Sequence, residues 1–454
     1  MITTSSKAAR MPVTTALLVC VLCSMPRSLT VPLAAQEAPT VRLSLSEAQD
    51  RALAASHRLA EARARADTAE ATVAVRQAAD RPIVGLGAGY TRTNHVTEFS
   101  LLGPTGALRV LYPDAPDNYR TRLDLQWPIY NGGRSDALER AARAEASAAA
   151  ADIGAAQADL RLEVARAFWA LVTARAATAV LDRSLARAQA NLNDVRQRLN
   201  AGLVPPNDVA SAEAQESRQR MLLIETRNQS DQSSAELARL IGVDVMQRIE
   251  PAADLDLTGP AAASLETLVA GARAARMDRR ALEQRITAAE EQRVAAEGGR
   301  KPAIAITGGF DYARPNPDIF PRADRWDDSW DAGVSATWAL WDGGRSQAES
   351  AQARSTADAA RQRLAEFDSI VALEVRQRLL DIDSGQAAVG AAEDAVRAAT
   401  EARRVIAERY QAGVAIQTEL LDADVVLLQA ELDRTRAIAA VRLAEARLAR
   451  ATGR

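Results

Sequence analysis

Apolar positions in this chain follow two periods, and each period occurs twice. From Ser44 to about Ala79, and again from about Ser264 to just before Pro302, apolar residues recur at helical spacing. Ser44-Leu45-Ser46-Glu47 has the spacing of a capping box, and Pro82 and Pro302 stop the two runs. The period then changes to two. Val84, Leu86, Ala88 and Tyr90 alternate with Ile83, Gly85, Gly87 and Gly89, and Tyr119, Thr121, Leu123, Leu125, Trp127 and Ile129 alternate with Arg120, Arg122, Asp124 and Gln126. Ile304, Ile306 and Phe310 oppose Ala305, Thr307 and Asp311, while Trp330, Val334, Ala336, Trp338 and Leu340 oppose Asp331, Gly333, Ser335 and Thr337. This alternation predicts strands at about 82–92, 118–130, 302–312 and 330–341, each with one apolar and one polar or small face.

Helical spacing returns after each strand pair, over Ser135 to about Asn200 and Ser346 to about Gln411. Gly202 and Gly413 end these runs as C-cap glycines, with Pro205-Pro206 reinforcing the first turn. A shorter helix follows each, about 208–240 and 419–451. At 1.5 Å per residue the long helices span about 100 Å and the short ones about 50 Å, so the lengths describe a rod. Leu181, Leu185, Ala188, Leu192, Val195 and Leu199 form a heptad seam. Ala392, Val396, Ala399, Ile406 and Tyr410 repeat it, with Arg403 as an interruption.

The two halves are copies. Trp127-Pro128-Ile129-Tyr130-Asn131-Gly132-Gly133-Arg134 recurs as Trp338-Ala339-Leu340-Trp341-Asp342-Gly343-Gly344-Arg345, an offset of 211. Upstream the offset is 220, pairing Pro82 with Pro302 and Tyr90 with Phe310, so a nine-residue difference lies between Tyr90 and Trp127. The pattern divides the chain into repeat 1 (36–242), a polar linker (243–264) expected to wrap the outside of the rod, and repeat 2 (265–454). Loops 92–118 and 313–329, rich in Pro, Asp and Asn, join the strands.

A coiled-coil structural protein without a pore would account for the helices alone, but the strand windows argue against it. Strands of about ten residues, apolar on one face and polar on the other, are what a membrane β-barrel requires, because lipid tolerates no unpaired strand edge. Four strands are too few to close around a lumen, whereas three chains would give twelve. The fold class expected is α+β, a duplicated unit with a long coiled-coil tunnel and four strands per chain in a trimeric 12-stranded barrel.

Composition sharpens this picture. Aromatics are only 4% of the 454 residues, and thirteen of the seventeen lie in the windows 81–134 and 301–345. The net charge of -3, with basic and acidic residues interleaved, gives no sign of a nucleic-acid partner. Lys7 and Arg10 precede an apolar stretch from Val13 to Met25, and small residues surround Ala34-Ala35, so residues 1–35 read as a secretory signal. Its removal takes away Lys7, Arg10 and Arg27, changing -3 to -6, together with both cysteines, Cys20 and Cys23. With no cysteine left and only His57 and His95 as histidines, neither a nucleophilic triad nor a Cys/His metal site is supported. No catalytic residue, cofactor or metal site is expected.

The order helix, strands, long helix, turn and short helix, given twice, with an aromatic-x-x-aromatic-x-Gly-Gly-Arg after each second strand, resembles the outer-membrane efflux protein family, the TolC-type outer membrane factors. Glu408-Arg409-Tyr410-Gln411-Ala412-Gly413-Val414 followed by Glu419-Leu420-Leu421-Asp422-Ala423 is especially similar to the family's periplasmic tip. Ser56-His57-Arg58 replaces the family's frequent Asn-Pro, and Ala415 stands where some relatives carry a tip arginine. The resemblance implies a homotrimeric exit duct in the outer membrane, reaching into the periplasm to dock on an adaptor and, through it, an inner-membrane pump. Drugs or metal ions are the expected cargo, and a type I protein secretion duct is the alternative.

The resemblance also implies site residues. Glu419 and Asp422, at i and i+3 on one helix, are expected at the narrow periplasmic gate, where threefold symmetry would gather six carboxylates that attract cations. Gly202 with Leu203 and Gly413 with Val414 are expected to contact the adaptor, simple capping being the plainer reading of the glycines. Gly132, Gly133, Gly343 and Gly344 mark the strand–helix junctions. Tyr119, Trp127, Trp330 and Trp338 are expected in the lipid-facing aromatic girdle, with Leu125 and Val334 near mid-bilayer.

Overall fold

A computed structural model describes residues 40–253 and 264–453. The expected signal segment, with Cys20 and Cys23, lies outside the described residues, as does 254–263 of the linker. The elements in chain order are β1 (Val41–Leu43), α1 (Leu45–Ala55), α2 (His57–Ala78), β2 (Ile83–Arg92), β3 (Phe99–Leu102), β4 (Leu108–Tyr112), β5 (Asp117–Tyr130), α3 (Arg134–Asn200), α4 (Pro206–Leu240), β6 (Ile249–Pro251), α5 (Leu265–Ala275), α6 (Met277–Gly298), β7 (Ala303–Arg314), β8 (Asp327–Thr337), α7 (Arg345–Gln411) and α8 (Gln417–Ala451).

The α+β fold has the two repeats, long helices and four antiparallel strands that the sequence pattern predicts. Helices α3 and α7 have 67 residues each, while α4 and α8 have 35 each. Helix α3 packs on α2, α4, α6 and α8, and α7 packs on α6 and α8, so helices of both repeats share one wall. Alanine explains how they come so close. Ala148 and Ala151 of α3 meet Ala281 of α6, and Ala142 and Ala146 meet Val73 of α2. Small facing residues let neighbouring axes approach to about 8 Å.

The two repeats build matching cores. Leu160, Val164, Phe168 and Leu237 are buried with Leu43, Leu59 and Ile249 in repeat 1. In repeat 2, Val371, Val375 and Leu448 occupy the positions 211 residues on from Leu160, Val164 and Leu237, and pack with Ala272 and Phe367. Each fully buried Leu, Val or Phe contributes roughly 1.5–3 kcal/mol. The seam on α3 is buried at Leu181, Ala188, Leu192 and Val195.

The first helices, the linker and the first strand-joining loop depart from the sequence pattern. Each first helix is two helices, broken at Ser56, whose side chain caps the amide of Leu59, and at Arg276. The linker does not simply wrap the outside: β6 pairs in parallel with β1, Val41 opposite Ile249, and Ile249 is fully buried. Loop 92–118 contains the β3–β4 hairpin, with Leu102 opposite Leu108.

Strands β2, β5, β7 and β8 form one antiparallel sheet in the order β2-β5-β7-β8. The last strand ends at Thr337 rather than 341, so Trp338 lies just beyond it and its indole N–H donates to the Arg300 carbonyl at 3.1 Å. Within the chain, β2 and β8 are the sheet edges, each with one side unpaired.

Candidate channel surfaces

The register assigns every strand residue to one of two faces. Val84 opposes Leu125 and Leu125 opposes Gly308, while Leu86, Leu123, Phe310 and Trp330 form one continuous row across the four strands. Tyr90, Tyr119 and Tyr312 share this apolar face, where Trp326 stacks on Tyr312 with ring centres 4.9 Å apart and Tyr119 lies 5.0 Å from Tyr90. The register also sets how far along the strands these residues lie. Val334 opposes Ile306, which opposes Trp127, so Val334 and the nearby Leu125 lie toward the helix-bearing end, and Leu123 is the mid-strand residue. Trp330 sits in that middle row, four positions from both Tyr119 and Trp127 by way of Leu123, rather than at a strand end.

The opposite face carries charge. Asp311 is almost fully buried and pairs with both Arg120 and Arg122. Arg122 also reaches Asp124 at 2.6 Å and Asp331 at 2.9 Å. It reaches Asp331 by crossing β7 at Gly309, where a β-carbon would collide with the guanidinium. Gly85, Gly87 and Gly89 leave the same face of β2 without side chains. One face thus suits lipid and the other suits an aqueous lumen.

At the strand–helix junctions the chain turns through consecutive left-handed glycines. Gly132 and Gly133 have φ of 73° and 80°, Gly343 and Gly344 of 67° and 87°. A β-carbon on Gly132 would also strike the Gly298 carbonyl. The caps come from residues that sequence reasoning passed over: Asn131 accepts from the Ser135 amide at 3.2 Å, and Asp342 from the Ser346 amide at 2.9 Å.

The far ends of the long helices close in Schellman turns. The Leu203 amide donates to Arg198 O at 2.9 Å and Gly202 to Leu199 O at 2.9 Å. Val414 to Arg409 O at 2.8 Å and Gly413 to Tyr410 O at 3.1 Å repeat this turn. Gly202 and Gly413 have φ of 73° and 74°, and the turns leave Leu203 74% and Val414 68% exposed. Ala415 is buried with Tyr410 and Leu420.

Glu419, in the first turn of α8, is half-buried with Arg409 at 4.0 Å, and Asp422 one turn on is exposed, with no ion pair among the described residues. Leu420 and Ala423, between and beside them, face the core. Sequence reasoning missed the links between repeats. The Arg198 guanidinium lies 4.5 Å from the Tyr410 ring centre, and burial raises the Tyr410 phenol above its ordinary pKa. Arg187 reaches Glu431 at 3.4 Å and Asp424 at 3.8 Å, and Arg403 reaches Asp424 at 3.1 Å. The contacts of Arg198 and Arg187 join residues more than 200 positions apart across repeats, while Arg403 holds Asp424 from within repeat 2, and local pattern carries no signal for the long-range pairs.

His57 begins α2, exposed, and His95 pairs with Asp114 at 2.8 Å. Among the described residues, no group of His, Cys, Asp and Glu side chains converges as a metal site.

A sheet with one lipid-suited face, continued by helices about 100 Å long that end in exposed turns, defines a subunit of a membrane barrel with a helical extension. The chain belongs to the outer membrane efflux protein family, whose model matches residues 48–243 and 268–454. It is an outer-membrane channel protein extending into the periplasm, and not an enzyme. Protein CyaE of Bordetella pertussis is 30% identical over 275 residues, 60% of this chain and 52% of CyaE, so the match spans about half of that relative's length. The fold is shared with the open state of the Neisseria gonorrhoeae MtrE outer membrane channel, at TM-score 0.74 and 21% identity over 90% of this chain and 88% of MtrE. It is shared too with the Campylobacter jejuni CmeC outer membrane channel, at TM-score 0.76 and 17% identity over 90% of this chain and 85% of CmeC.

Proposed function

We propose that three copies of this chain assemble into a passive exit duct of a tripartite efflux system, conducting small molecules or metal ions from a periplasmic adaptor and inner-membrane pump to the exterior. The observation that carries this reading is the four-stranded sheet with unpaired edges at β2 and β8 and an apolar outer face. An open edge is not tolerated in hydrocarbon, and β8 of one copy against β2 of the next closes a ring of twelve strands. Each copy then contributes Glu419 and Asp422 to the periplasmic entrance and the Leu203 and Val414 turns to the adaptor. The duct supplies no energy of its own.

Reconstitution tests this. Protein added to a planar bilayer is expected to give discrete conductance steps, and a strain lacking the gene is expected to become more sensitive to small toxic compounds or metals while its secreted proteins are unchanged. Absence of conductance from folded protein sinks the duct reading. Loss of one secreted protein with unchanged sensitivity replaces efflux with type I secretion.

A further inference from the structure

The extracellular end of the sheet carries a feature that neither the duct nor its gate uses. Residues 99–112, the β3–β4 hairpin, hold one charge, Arg109, in a chain that is 25% charged. The hairpin occupies the loop where the first repeat is longer than the second. Four of its apolar side chains stand largely uncovered by the described residues: Leu102 is 72% and Leu108 73% exposed, with Phe99 and Leu101 more than half exposed.

The hairpin is tied toward the lumen. Along β7, Phe310 and Tyr312 on the lipid-suited face are exposed, whereas Asp311 and Ala313 on the lumen face are each 1% exposed. That cover involves loop 315–326, where Asn316 is buried and donates at 3.0 Å to the hydroxyl of Ser329, another lumen-face residue. From the same loop Arg322 lines a cavity of about 450 Å³ together with Gly87, Gly89, Arg120 and Arg122 of the lumen face. Arg322 holds the hairpin by three contacts. Its amide donates to Leu111 O at 3.2 Å, its guanidinium donates to the Tyr112 hydroxyl at 2.8 Å, and it lies 5.2 Å from the centre of the Tyr112 ring.

The geometry points to a second constriction: the β3–β4 hairpins of three copies of this chain lean over the extracellular mouth and pack their apolar side chains on one another around the threefold axis. This rests on the trimeric reading above. Twelve strands spaced about 4.8 Å apart and tilted about 40° give a wall radius of about 12 Å. The hairpin arm β4, five residues long, extends about 16 Å at ~3.3 Å per residue, so it can reach the axis. Because the hairpin follows β2, the edge strand at the seam between copies, the next copy is also its nearest uncommitted neighbour. Leu101, Leu102 and Leu108 would form an apolar ring that opposes passage of water and ions until cargo displaces it.

Single cysteines test the arrangement, since both natural cysteines precede residue 36. Leu102→Cys and Leu108→Cys proteins, purified as intact assemblies and oxidised with copper phenanthroline, are expected to yield mostly disulfide-linked pairs of chains. The triple variant Leu101→Ser, Leu102→Ser, Leu108→Ser is expected to raise single-channel conductance on the order of twofold, because wetting an apolar constriction opens it. Light scattering on the same samples separates the two layers of the argument. A trimer that does not cross-link, or a triple variant of unchanged conductance, overturns the constriction and leaves the duct standing, whereas particles that are not trimers overturn both.

Discussion

Placing arginine on the two faces of β5 tests the sheet assignment. Leu123 lies in the row Leu86, Leu123, Phe310, Trp330, midway between the aromatic ends of the strand, with no polar side chain in the row. Leu123→Arg puts a charge at the bilayer midplane, at a cost of about 2–4 kcal/mol per copy. Three copies bring this to about 6–12 kcal/mol per assembly, comparable with the 5–15 kcal/mol that typically separates folded from unfolded. Gln126, three positions on, is on the opposite face, so Gln126→Arg enters water and costs little. Val334→Arg, level with Trp127, is expected to fall between them, because the penalty shrinks to about 0–1 kcal/mol near the interface. Heating the outer-membrane fraction in detergent and following the oligomer band on a gel measures the effect. The assembly is expected to be absent or to melt early for Leu123→Arg and to match the parent for Gln126→Arg. Equal behaviour of these two variants refutes the assignment of faces.

Three other perturbations have definite outcomes. At the tip, Gly413→Val forces a β-branched residue to φ of 74°, a strain of at least about 1–2 kcal/mol; export is expected to fall at equal expression while the barrel remains, and wild-type export would remove the tip from the mechanism. At the entrance, Glu419→Gln with Asp422→Asn is expected to weaken cation selectivity and relieve block by multivalent cations in single-channel recordings, and unchanged selectivity and block would place the gate elsewhere. In the helical region, burial pushes the Asp278 carboxyl up, but the hydrogen bonds and charge of Arg276, with Arg450 close by, outweigh it and hold its pKa below the usual range. Its folded value being the lower one, Asp278 contributes stability above its unfolded pKa of about 4, and this is lost as pH falls through the folded value. Asp278→Asn is expected to destabilise the protein at neutral pH and to flatten its acid-side melting curve, and an acid-side curve parallel to the parent's would contradict the linkage.

How far the sequence reveals this structure depends on the range of each signal. Alternation in Tyr119 to Ile129 and in Ile304 to Phe310 identifies the correct faces, because a period of two is local and lipid enforces it. Gly202 and Gly413 are recognisable as helix ends because the left-handed C′ position strongly favours glycine. Repetition at offset 211 reaches even the cores, where Val164 and Val375 play the same part. The breaks at Ser56 and Arg276 escape notice because both interrupt helix-compatible composition, Ser56 by capping Leu59 and Arg276 by pairing with Asp278 and Glu374. Strands β1 and β6 are too short to show a period, and their pairing joins Val41 to Ile249. At the entrance, Glu419 and Asp422 are visible as a spacing, but Arg198 over Tyr410 and Arg187 between Asp424 and Glu431 exist only once the repeats are packed together.

The central claim is that the open edges β2 and β8 are closed by further copies of the same chain. Native mass spectrometry of the detergent-extracted protein measures this most directly. A single species of three chains, persisting on dilution and lost only when the barrel unfolds, is the predicted result. A folded, membrane-extracted particle of one or two chains would contradict the account, because its edge strands would have no partner in the bilayer.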